Sequence, residues 1–295
     1  MTDEQEPPWT ESRRDWYSKT FILFEIIKQL AHKECTFIEK LPKDADRQAK
    51  VARCVNAQTI DFLQQNMQAF RFLQFPNYDM YFSLMDYSSL PLFSFAPPQR
   101  REQYKEWTNG KYKSYAVGYD WGVDIDAENW QTALKDTLKL KRLFDHYKLP
   151  YSVKFSGSRG FHFLITYKWL PTLPIGKLVP MLAELTYMIK HIDNIPSIDD
   201  SIIDERRVFK LAYSFDRGNI ALPLDDEQLK SFDPAIVTPE YCLKAIPLKG
   251  RGLLTRNTDQ PPEQARESFL KMAKLFIDTD KYKEVEQNAN TNRSV

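Results

Sequence analysis

The sequence predicts a mixed α+β protein, and two observations carry that expectation. Over residues 115–224, strand-like alternation and helical spacing succeed one another in the order strand, helix, strand, strand, helix, then further strands. The chain is also long enough, at 295 residues and 42% hydrophobic content, to bury a substantial core.

Taken in order, residues 1–11 read as a loose polar terminus, and residues 12–34 have the length and apolar spacing of an amphipathic helix. A second helix is expected over 44–69, with Val51, Val55, Ile60 and Leu63 facing inward. The runs RFLQF, MYFSLMDY and LPLFSF, aromatic and β-branched, read as strands. YAVGYDWGVDID reads as another strand. ENWQTALKDTLKLKRLFDHY is helical through Trp130, Leu134, Leu138 and Phe144, and Pro150 stops it. YSVKFSGSRGFHFLIT is strand, turn, strand; residues 177–192 are helical; RVFKLAYSF and NIALPL form a further strand pair. A last helix, PPEQARESFLKMAKLFI, opens on proline. The expected division is a helical portion over 1–70 packed on the core, a catalytic core over 71–260, a helix over 261–280 and a disordered tail over 281–295.

Charge is balanced, with 41 basic against 40 acidic residues, so any nucleic-acid surface must be local. Cys35, Cys54 and Cys242 lack zinc or disulfide spacing, which points to a reducing compartment, cytoplasmic or, in a eukaryote, nuclear. FILFEIIKQL is interrupted by Glu25 and Lys28, so it reads as neither a signal peptide nor a membrane span.

Three segments carry chemistry. In VDIDAEN, strand alternation puts Asp124 and Asp126 on one face. Two such carboxylates repel unless a cation lies between them, and hard oxygen ligands suit Mg²⁺ or Mn²⁺. The turn SGSRG offers glycine-freed N–H groups, the hydroxyls of Ser156 and Ser158 and the guanidinium of Arg159, which together can cradle a phosphate; His162 follows on the outgoing strand. In SIDDSIIDERRVFK, Asp199 and Asp200 precede a strand bearing Lys210, with Arg206 and Arg207 nearby. A third carboxylate would allow two metals about 3.5–4 Å apart, clamping both oxygens of an in-line displacement.

In this order, VDID, SGSRGFH, then Asp and RRVFK resemble the three motifs of the archaeo-eukaryotic primase superfamily, the small catalytic subunits of primases and the primase-polymerases. The SGxRGxH pattern is met by Ser156, Gly157, Arg159, Gly160 and His162, and the likeness spans roughly residues 115–240. The resemblance implies a catalytic core on an RRM-like sheet, with metal on Asp124, Asp126 and Asp199, or Asp200 in its place. It implies that Ser156, Ser158, Arg159, His162 and Lys210 bind the triphosphate. The implied activity is a DNA primase or DNA-dependent polymerase working with Mg²⁺ or Mn²⁺. Its partners would be single-stranded DNA template, primer and nucleoside triphosphates, with a large primase subunit or helicase as accessory and no membrane. The chain departs from the pattern where Ala212 replaces a proline, where Asp216 followed by Arg217 replaces a histidine, and in lacking the zinc site of primase small subunits. Two other readings stand beside it: a metal-dependent glycosyltransferase built on the DxD, and a non-catalytic RRM-like module that stacks bases on aromatic residues.

Overall fold

The computed structural model describes residues 10–39, 51–55, 57–69, 72–73, 78–93, 97–200 and 203–277. The expected tail over 281–295 and most of RFLQF lie outside them. The chain divides into two compact units. One is drawn from Met1–Val117, Lys154–Ser158 and Val208–Leu253, the other from Gly118–Val153, Arg159–Arg207 and Leu254–Val295.

The first unit opens with α1 (Thr10–Ser18) and α2 (Thr20–Gln29), two helices where one was expected, because Lys19 turns extended at the N-cap of α2. Trp16, Ile22, Leu23 and Ile26 are wholly buried, each side chain of this kind contributing roughly 1.5–3 kcal/mol. The range expected to be helical then gives way to strands. β1 (Cys35–Glu39) pairs antiparallel with β2 (Val51–Val55), and the next helix among the described residues is α3 (Ile60–Ala69); residues 44–50 of the expected helix lie outside the described residues. Val51 and Val55 have helical spacing, but they are β-branched and suit a pleated edge. Val51 pairs with Ile38 and is half-exposed rather than inward.

β3 (Tyr78–Ser83) and β4 (Met85–Tyr87) realise MYFSLMDY, and α4 (Pro97–Thr108), which the sequence reading missed, follows. Residues 90–93 of LPLFSF have no regular structure. The chain passes between units along β5 (Ala116–Tyr119).

The second unit carries β6 (Trp121–Ile125), α5 (Trp130–His146), β7 (Ser152–Phe155), β8 (Phe161–Ile165) and α6 (Ile175–Ile192), in a sheet of order β6-β8-β7. Asn129 caps α5 by accepting the Thr132 N–H at 2.9 Å. An aromatic core forms from Trp121, Phe144, Tyr151 and Phe163, with Phe269 edge-on to Trp121 at 5.6 Å. The chain leaves this unit along β7 at Val153 and returns at Arg159.

RVFKLAYSF is not one strand. β9 (Val208–Lys210) ends before a turn in which Tyr213 is left-handed, and β10 (Phe215–Asp216) then pairs with β11 (Asn219–Ile220). β9 completes the first unit's sheet in the order β2-β1-β3-β9, with Lys210 opposite Tyr81. PLDDEQLK supplies α7 (Asp226–Lys230), opened by an Asp225/Gln228 capping box. α8 (Pro239–Ala245) follows, and α9 (Pro262–Ile277) realises the expected final helix. No helix among the described residues is long and apolar enough to cross a membrane.

Candidate active site

The geometry of the second unit begins with pairing. On one side of β6, β8 aligns Asp124 with His162 and Ile125 with Phe161. On the other side a single antiparallel bridge sets Ile125 against Ile198. Two bonds lock that bridge: Asp126 N–H donates to the Ser197 carbonyl and Asp199 N–H to the Asp124 carbonyl, both at 2.9 Å.

Alternation does the rest. Ile125, Ile198 and Phe161 all turn into the core, with at most 2% exposure. Their neighbours therefore share the opposite face, so His162, Asp124 and Asp199 form one cross-strand row with Asp126 beside it. His162 Nε2 lies 3.4 Å from Asp124 Oδ1, and the Arg207 guanidinium 4.0 Å from Asp199 Oδ2.

The partner of Asp126 is Arg159. Its Nε and Nη2 donate to Oδ1 and Oδ2 respectively, both at 2.8 Å, and the carboxylate raises the guanidinium pKa. Gly160 explains how the chain reaches this position. A Cβ there would stand 2.5 Å from the Ile125 carbonyl oxygen, so only glycine lets the returning strand pass the backbone that carries the aspartates.

The two candidates for a third carboxylate differ. Asp199 stands in the row, whereas Asp200 accepts from Lys190 of α6 at 2.6 Å. Sequence reasoning missed the group that holds this segment, Asp136 of α5, whose Oδ2 accepts the Ser197 N–H at 3.1 Å. Burial works against its ionisation, but bonds from Lys139 and Ser197 outweigh burial and hold the carboxyl below the usual range. An Asp on the buried face between Ala133 and Leu140 was the available signal.

The remaining expected residues lie in the first unit. Gly157 is left-handed at φ 95°, and a Cβ on it would meet Asp216 Cβ at 2.9 Å, so the serine turn sits against β10. Ser156 Oγ accepts the Ser158 N–H at 3.4 Å, and Ser158 is exposed. Lys210, 5% exposed, is held by Asp216 Oδ2 at 2.5 Å and Asp79 Oδ2 at 3.0 Å. Burial alone would lower its pKa, but the two carboxylates overcome that and raise it. Asp79 was also missed, and it shares a face of β3 with Tyr81, opposite Lys210.

Among solved structures, the chain is similar to the polymerase domain of Mycobacterium tuberculosis ligase D in complex with DNA, at 12% identity and a TM-score of 0.51, over 85% of this chain and 93% of that one. It shares the fold of that polymerase domain. The primase-polymerase domain of cyanophage S-2L is more distant, at 13% identity and a TM-score of 0.37, over 76% of this chain and 97% of that one. No protein-family model matches the sequence, and no curated protein does. At so low an identity the likeness gives the fold, and the chemistry rests on the residues themselves.

As a donor set, Asp124, Asp126 and Asp199 fit a hard divalent cation. All three are carboxylates, and their side chains are 27%, 46% and 31% exposed. Among the described residues no three His, Cys, Asp or Glu side chains already converge as a metal cluster.

Proposed function

We propose that the chain is a DNA primase or primase-polymerase, transferring nucleotidyl groups from nucleoside triphosphates to a 3′-hydroxyl on a single-stranded DNA template. The observation that carries this reading is the row of His162, Asp124 and Asp199, with Asp126 beside it, on one face of the β6–β8 sheet. The polymerase-domain fold supports it, and the β6-β8-β7 sheet is the counterpart we assign to the RRM-like catalytic sheet. DNA is the proposed partner, as it is for the ligase D polymerase domain in its complex.

The aspartates Asp124, Asp126 and Asp199 would hold Mg²⁺ or Mn²⁺. When bound, the metal supplies positive charge against the attacking and leaving oxygens. The chain's own residues position and neutralise. His162, buried beside Asp124, orients that carboxylate and offers a ring N–H to a phosphate oxygen. Arg159 offers a planar fork matched to phosphate, and Ser156 and Ser158 add hydroxyl donors. Catalysis of this kind is largely placement and charge compensation. Lys210 acts from its buried ion pairs, supporting the strand rather than meeting the nucleotide as the sequence pattern suggested.

The test is incubation with single-stranded template and labelled ribo- or deoxynucleotides in Mg²⁺ or Mn²⁺, with and without primer. Template-dependent incorporation is expected, falling about 10³-fold or more in Asp124→Asn with thermal stability intact. Single-strand binding with no incorporation under any condition would return the chain to the class of non-catalytic binding modules.

A further inference from the structure

Asp126 and Arg159 are assigned different ligands, metal for one and triphosphate for the other, yet here they hold each other. The contact is two-pronged, Nε to Oδ1 and Nη2 to Oδ2 at 2.8 Å each, so both carboxylate oxygens are engaged. It is also open to water, with the two side chains 53% and 46% exposed. Such a pair is geometrically specific but weakly held, because solvent competes for both partners. Its members have better partners of the same chemistry: a polyphosphate presents the guanidinium with more oxygen charge than one carboxylate, and a divalent cation presents the carboxylate with more charge than one guanidinium.

Resting on the nucleotidyl-transfer reading above, we propose that the Arg159–Asp126 pair is an exchangeable latch coupling metal binding to nucleotide binding. Each ligand breaks the same contact. A phosphate that takes Arg159 frees Asp126 for the cation, and a cation that takes Asp126 frees Arg159 for the phosphate. Whichever ligand binds first bears the cost of opening the pair, so the second binds more tightly, and linkage makes the gain equal in both directions. Neighbouring basic side chains are placed differently. The His162 ring stands 3.4 Å from Asp124 and the Arg207 guanidinium 4.0 Å from Asp199. The latch acts through the two-pronged contact to Asp126.

The experiment measures Mn²⁺ affinity of the full chain by electron paramagnetic resonance, without nucleotide, in the wild type, Arg159→Gln, Asp126→Asn and the double variant. Circular dichroism checks that each is folded. Arg159→Gln should bind Mn²⁺ about fivefold more tightly than wild type, and the gain should vanish in the Asp126→Asn background. A gain of equal size in both backgrounds would mean that removing positive charge acts on the whole acidic face, and would overturn the latch. Unchanged affinity in Arg159→Gln would overturn it as well. If Asp126→Asn itself leaves Mn²⁺ affinity untouched, the metal-site assignment falls, and the latch falls with it.

Discussion

Each unit of the molecule contains an ionic cluster built from one basic side chain and nearby carboxylates, and the two differ in solvent. In the second unit Arg159 meets Asp126 with about half of each side chain exposed. In the first, Lys210 lies between Asp79 and Asp216 with none of the three more than 5% exposed. The same attraction has different consequences. An exposed pair is worth at most about 1 kcal/mol and can exchange its partners for ligands. A buried cluster is held by the cost of leaving any of its charges uncompensated, so it is structural. Solvent thus separates the two basic residues, Arg159 with 53% of its side chain exposed and Lys210 with 5%.

Lys210→Met offers the sharpest break of that contrast. It removes the ammonium while keeping the chain's bulk, strands two buried carboxylates, and should cost about 3–5 kcal/mol in urea denaturation. Unchanged stability with weakened nucleotide affinity would make Lys210 a phosphate contact and dissolve the contrast. Within the second unit, Asp199→Asn should lower nucleotide incorporation about 10²–10³-fold with little change in melting temperature. Equal loss on replacing Asp200 instead would move the third carboxylate to the residue that Lys190 holds.

A smaller effect should follow from Asp136, whose carboxyl titrates below its unfolded value near 3.9. In that window the unfolded chain binds more protons than the folded one, so this carboxylate contributes stability that is present above about pH 4–5 and lost as pH falls through the folded value. Asp136→Asn should flatten the acid limb of the stability curve, and parallel limbs would show that the group holding the Ser197 segment does so without its charge. The smallest effect is expected for Asp200→Asn: less than about 1 kcal/mol in stability and no more than a few-fold in activity.

Legibility tracked how local each feature is. The placement of Asp124 and Asp126 on one face follows from the two-residue period of a strand, and helix α5 follows from its own apolar spacing and the stop at Pro150. Val51 and Val55 misled because spacing four residues apart fits a helix, while the pairing of β2 with β1 is long-range. RVFKLAYSF misled for a similar reason, since its strand ends at Lys210 and a left-handed Tyr213 turns the chain. Asp136 and Asp79 left only a faint trace, as carboxylates where apolar residues were due.

By itself, then, the sequence determined the order of the motifs and the residue types able to hold cation and phosphate. Only the tertiary structure set Asp199 beside Asp124, through the Ile125–Ile198 bridge, and Asp200 against Lys190, and only it withdrew Lys210 from solvent. The reason is physical. Alternation and capping are written within a few residues, whereas a partner strand and the water around a charge are set by segments far apart in the chain.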